Sequence, residues 1–197
     1  MVRPWLYVIA RPFIVIYTRL KFRPIYINNK SIPKKGGVIL AGNHLSKTDP
    51  ILMSTGTRRY ILGVGKEELF RSFFGRLIFT GLGAIPVNRQ IKDDSVIPKC
   101  VERLNKGGCI GIMPEGTINR TDDIIMPFKS GAIRMAIESG CPIIPFAIIG
   151  KPINDFRAVE KKPTIIFGDA YHPSSGDIVK ETKKLEDKVI ELLNTRS

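Results

Sequence analysis

Residues 37–41, Gly-Val-Ile-Leu-Ala, form a short, wholly apolar run bounded by glycine at 37 and 42. Such a run, without polar alternation, suits a strand buried on both faces. Similar runs recur. Strands are expected over 60–64, 84–88, 109–113, 143–149 and 164–167. Helices are expected between them, over 67–79, 93–105 and 130–139, the last two stopped by Gly107-Gly108 and Gly140. A final helix over 177–193 puts Ile178, Leu185, Val189 and Leu192 on one side. Asp49-Pro50 reads as a helix N-cap followed by proline at the first helical position. Strands alternating with helices in 197 residues predict one α/β domain, with a mixed, largely parallel sheet flanked by helices. Strand order is not legible from the sequence.

The first 23 residues read differently. Residues 5–17, WLYVIARPFIVIY, are almost wholly apolar but interrupted by Arg11-Pro12. A spanning helix needs about twenty apolar residues. No small-residue cleavage site follows, as a signal peptide would require. The segment is expected to be a helical anchor dipping into one leaflet. Arg3, Arg19, Lys21 and Arg23 would meet headgroups, and Trp5, Tyr7 and Tyr17 would lie at the interface. The alternative is a buried helix capping the domain. The chain is therefore expected to divide into a membrane-anchoring segment, 1–23, and a globular domain, 24–197.

Charge is polarised the same way. Residues 1–66 hold twelve Lys/Arg and a single acid, Asp49, although the whole chain is only +13. A basic leader of this kind points to anionic lipid, phosphate ligands or nucleic acid. Nucleic acid is disfavoured. No zinc-finger or RNP-type pattern occurs, and a nucleic-acid module would leave the apolar leader unexplained. A nucleotide enzyme is disfavoured too, because Gly63-Val64-Gly65 lacks the third glycine of GxGxxG and no GxxxxGK[ST] occurs. Three cysteines without CxxC spacing fit a reducing compartment, and two distant histidines argue against a zinc site.

The chemistry concentrates in Asn43-His44-Leu45-Ser46-Lys47-Thr48-Asp49-Pro50. Five residues apart, His44 and Asp49 would face away from each other on one helix, at about 100° per residue. Across a strand–loop–helix junction they can meet. An imidazole can then take a proton while a carboxylate fixes its tautomer. Lys66, Arg89 and Glu115 also follow expected strands, and ligands of α/β sheets collect at the carboxyl ends of strands. Other readings stay open at this point. Asp49 before proline is a helix cap by itself, Lys66 and Arg89 could be solvated surface charges, and Glu115-Gly116 could be a simple turn.

Asn43-His44 with Asp49, the block 83–89, Pro114-Glu115-Gly116-Thr117 and Cys141-Pro142-Ile143-Ile144-Pro145 occur in this order. The chain thereby resembles the glycerolipid acyltransferases, most closely the bacterial lysophosphatidic acid acyltransferase type. The likeness runs over roughly residues 37–150. Any one block is weak; four in order are specific.

The resemblance implies transfer of a fatty acyl group from acyl carrier protein or acyl-coenzyme A to the free hydroxyl of lysophosphatidic acid. His44 would be the general base and Asp49 its orienting partner, with no acyl-enzyme. Arg89 would bind the acceptor phosphate, with Lys66 as a second cation. Glu115, Gly116 and Thr117 would line the acceptor site, and Pro142 and Pro145 would shape its wall. One position departs from the family pattern. The arginine usual after Thr117 is Ile118, and the next basic residue is Arg120. The acceptor could therefore be another lysophospholipid or glycerol 3-phosphate. Transfer to an alcohol needs a base, so neither metal nor cofactor is expected. The expected partners are membrane lipids, the acyl donor and lysophosphatidic acid, at the cytoplasmic face of the cell membrane. Two other classes remain: a basic membrane- or nucleic-acid-binding module, and a catalytically dead relative, which intact His44 and Asp49 disfavour.

Overall fold

A computed structural model describes residues 5–87, 95–150, 162–174 and 176–195, without the side chains of Trp5 and Lys66. Arg3, Arg89 and the expected start of the helix at 93 lie outside the described residues.

Seven strands form one sheet in the order β1-β7-β6-β2-β5-β3-β4. They are β1 (Ile25–Ile27), β2 (Val38–Gly42), β3 (Ile61–Lys66), β4 (Ile85–Val87), β5 (Cys109–Ile112), β6 (Ile143–Ile149) and β7 (Thr164–Phe167). From β6 to β4 all neighbours are parallel; β7 runs against β6, and β1 runs parallel to β7. The sheet is thus mixed and largely parallel, as the sequence predicts. Strand β1 was not anticipated, because three residues are too few to show a period.

Strand β2 shows why the interior runs do not alternate. All five of its residues are buried. Val38 and Leu40 pack into one core beside Leu52 and Met53, while Ile39 and Ala41 face a second core under α4 (Val96–Asn105), α5 (Gly131–Ser139) and α6 (Ile178–Asn194). Fully burying such a side chain stabilises the fold by about 1.5–3 kcal/mol. With two cores to feed, both faces must be apolar.

Two helices differ from expectation. The helix expected over 67–79 is two elements, a 3₁₀ turn at Glu67–Phe70 and α3 at Phe73–Gly81. Ser72 causes the break: its Oγ accepts the Gly75 amide at 3.0 Å and starts a new helix. In α2 (Asp49–Thr55) the cap position belongs to Thr48, and Asp49 is the first helical residue.

The N-terminal helix α1 (Trp5–Lys21) is continuous through Pro12. The proline removes one i→i−4 bond without ending the helix. Its polarity is inverted. Val8, Ile9, Phe13, Ile16, Tyr17 and Leu20 are exposed, while Thr18 is fully buried and Arg11 turns inward to donate to the Thr57 carbonyl at 2.5 Å. Among the described residues no helix is long and apolar enough to cross a membrane.

Candidate functional site

The site lies where β2 ends. Asn43, 1 % exposed, extends that strand by side chain: its Nδ2 donates to the Ile148 carbonyl at 3.0 Å, and its Oδ1 accepts the Ile148 amide at 2.7 Å. Two groups of β6 beyond the β2–β6 ladder are satisfied, and the chain is fixed just before His44.

His44 then meets Asp49 across the loop. The His44 Nδ1 to Asp49 Oδ2 distance is 2.9 Å. The same oxygen accepts the Leu45 and Ser46 amides at 2.6 and 2.7 Å, and Oδ1 accepts the Ser46 hydroxyl at 3.1 Å. Asp49 is fully buried and the His44 side chain is 14 % exposed. An uncompensated buried carboxylate would be costly, and these donors offset its desolvation. The carboxylate has no proton to give, so Nδ1 carries the hydrogen. In neutral His44 the lone pair is therefore on Nε2. The one-residue shift of α2 has its reason here: the Asp49 carboxylate turns back onto the loop amides.

A second carboxylate holds the histidine's backbone. Glu115 Oε1 accepts the His44 amide at 2.6 Å, and Oε2 accepts the Met126 amide at 2.9 Å. The Asn119 amide donates to the His44 carbonyl at 2.8 Å. Burial pushes the Glu115 carboxyl above its usual range, while the Met126 and His44 amides pull the other way. The residue is only 3 % exposed, and both of its oxygens are engaged by backbone amides, one of them that of His44. Glu115→Gln keeps the shape but sets an amide NH₂ against a backbone N–H. A stability loss of about 1–3 kcal/mol is expected, read as a lower urea midpoint at unchanged slope.

The rest of the third block forms the adjoining turn. Gly116 adopts φ +75°, and Thr117 and Arg120 are exposed. Sequence reasoning missed Lys129, which is exposed and lies across Gly116; a Cβ added to Gly116 would come within 2.9 Å of the lysine Nζ. The Lys129 amide donates to the Pro114 carbonyl at 2.9 Å, tying that lysine to the block. Fifteen residues separate it from Pro114, a spacing that carries no local signal. The Lys66 backbone ends β3, while its side chain and all of Arg89 lie outside the description. Pro142 and Pro145 sit at the start and inside of β6, where their carbonyls accept the Ile39 and Gly168 amides.

Two of the three cysteines, Cys100 and Cys109, are disqualified as nucleophiles by burial. It raises the Cys100 and Cys109 thiols to about 11 and about 12. Both stay protonated at neutral pH. No cluster of three or more metal-ligating side chains occurs among the described residues.

The acyltransferase family model matches residues 23–149. The 1-acyl-sn-glycerol-3-phosphate acyltransferase of Borreliella burgdorferi is 34% identical over 63% of this chain, but the match spans only 50% of that relative. The Bacillus subtilis enzyme of the same name is 27% identical over 85% of this chain and 86% of its own length. Escherichia coli has a relative of this name 34% identical over 57% of this chain and 47% of its own length. The chain thus spans about half the length of several of the relatives it matches. The crystal structure of the 1-acyl-sn-glycerophosphate acyltransferase PlsC of Thermotoga maritima superposes with a TM-score of 0.72 at 21% identity, covering 93% of this chain and 79% of that one. At that identity the likeness establishes the fold.

Proposed function

Because the chain belongs to the acyltransferase family, we propose that it transfers a fatty acyl group from an acyl thioester to the free hydroxyl of 1-acylglycerol-3-phosphate, giving phosphatidic acid. The observation that carries this reading is the His44–Asp49 pair, with Nδ1 committed to the buried carboxylate. Nε2 takes the proton from the acceptor hydroxyl as its oxygen attacks the thioester carbonyl. The tetrahedral intermediate collapses, the C–S bond breaks, and the imidazolium returns the proton to the departing thiolate. Asp49 stabilises the imidazolium while it exists. The donor is acyl carrier protein or acyl-coenzyme A, both anionic, and the basic first third of the chain suits either.

The acceptor phosphate is assigned to Arg89, with Lys66 and Arg120 as further cations. Lys129 adds a charge across the turn that Thr117 lines. A guanidinium holds phosphate through paired donors, so Arg89 should carry most of the selectivity. Arg89→Ala is expected to raise KM for lysophosphatidic acid about tenfold or more, with little change in KM for the donor. Equal effects on both substrates would remove Arg89 from the phosphate site. Arg120→Ala should mimic it if Arg120 replaces the arginine that Ile118 displaces.

We place α1 in one leaflet at the cytoplasmic face, because its apolar side is turned outward and its flanks are cationic. The deciding experiment is an assay of the purified protein with lysophosphatidic acid and a panel of acyl thioesters. Phosphatidic acid should form. Transfer only to another lysophospholipid or to glycerol 3-phosphate would reassign the acceptor and keep the mechanism. No transfer to any of them would overturn the reading.

A further inference from the structure

Helix α3 presents its apolar side to solvent. Phe73, Phe74, Leu77 and Ile78 are 78 %, 73 %, 52 % and 46 % exposed, on one arc of the helix. Phe79, on the opposite side, packs against Phe70 with ring centroids 5.5 Å apart. Burial in the domain thus claims only a minor face, and the larger apolar face has no partner among the described residues. Two rows of bare phenylalanine and leucine in water are costly, so something of matching chemistry is expected to cover them.

The topology aligns this face with that of α1. A Cβ added to Gly81, at the end of α3, would lie 3.1 Å from Leu6, near the start of α1. Helix α3 leaves the carboxyl end of β3 and returns toward the start of β4. Helix α1 ends close to Ile25, which pairs with Thr164 and so lies level with Ile149, at the carboxyl end of β6. The two helices are therefore antiparallel. The start of α3 and the end of α1 both lie at the sheet end that bears His44. Charge names the occupant. Neither helix holds an acid, and Arg19, Arg23, Arg71 and Arg76 are exposed on or beside them.

We propose that α3 is a second lipid-contacting helix, lying with α1 in the plane of one anionic leaflet so that the surface meets the mouth of the site. This rests on the reading of α1 as a leaflet-binding helix and is separable from it. Phe73→Ser/Phe74→Ser should fold normally, since both rings are exposed. It should bind vesicles of phosphatidylglycerol and phosphatidylethanolamine at least about tenfold more weakly than the parent. Phe13→Glu in α1 should weaken binding as well. Val179→Ser, which alters an equally exposed apolar residue on α6, should not. With the native tryptophan of α1 replaced (Trp5→Phe), the fluorescence of Phe74→Trp should be quenched by brominated lipid chains. If Phe13→Glu releases the protein while the α3 double variant and the tryptophan probe show no effect, α1 binds alone and the proposal fails. If the parent does not bind vesicles, both readings fail. If the parent is a dimer without lipid, and the double variant is a monomer that binds vesicles normally, the face is a protein interface and the proposal is overturned.

Discussion

His44→Ala should lower acyl transfer by about 10²–10⁴-fold with the fold intact. The side chain is partly exposed, and among the described residues its ring makes one hydrogen bond, to Asp49. The surrounding brace uses the His44 backbone: its amide goes to Glu115, and its carbonyl accepts from Asn119. Alanine keeps those two contacts, so the circular dichroism spectrum and melting temperature should change little. The loss should fall on kcat, because a proton acceptor contributes in the transition state more than in binding. Turnover near the parental rate in a folded His44→Ala protein would remove the base from this position and the mechanism with it.

Asp49→Asn should be as damaging to activity, and it should also destabilise the fold. An asparagine can offer one oxygen, whereas the carboxylate serves four donors on its two oxygens. With its oxygen toward the Leu45 and Ser46 amides, its NH₂ replaces the acceptor of the Ser46 hydroxyl. With the amide flipped, NH₂ faces the two backbone donors and the imidazole. That second arrangement favours the opposite tautomer, with the lone pair on Nδ1 and the hydrogen on Nε2, where no proton can be taken. A stability loss of about 1–3 kcal/mol is expected for each donor left unmatched in a fully buried place. The two effects separate by measurement: urea midpoints give the structural part, and kcat on the folded fraction gives the catalytic part. Full activity in Asp49→Asn would mean that the carboxylate only caps the loop.

The sequence carried the sheet well because both its faces are buried. Residues 143–149 are apolar throughout, and the observed β6 has those bounds. The dyad was readable for a different reason. Strand, loop and helix signals lie within eight residues, so the five-residue gap could be placed on a junction. What local patterns could not yield were contacts made across the chain. The Glu115 oxygens accept from the His44 amide, 71 residues back, and from the Met126 amide, 11 residues ahead. Lys129 over Gly116 and the strand order are likewise tertiary facts. The polarity of α1 was legible as composition, but the inward turn of Arg11 and Thr18 became visible only once the helix had a neighbour.

The Asn43 side chain has a consequence for the history of each molecule. Its two bonds reach Ile148, 105 residues further along the chain. Closing a loop of that size is a late entropic event, and parallel pairing of this kind is slow to form. A ribosome-bound chain that has not yet released β6 has its histidine and aspartate in place in sequence but no clamp beneath them. The loop that carries His44 is therefore clamped only when the middle of the sheet has zipped. On the proposed mechanism, catalytic competence and closure of the central sheet would then arrive together.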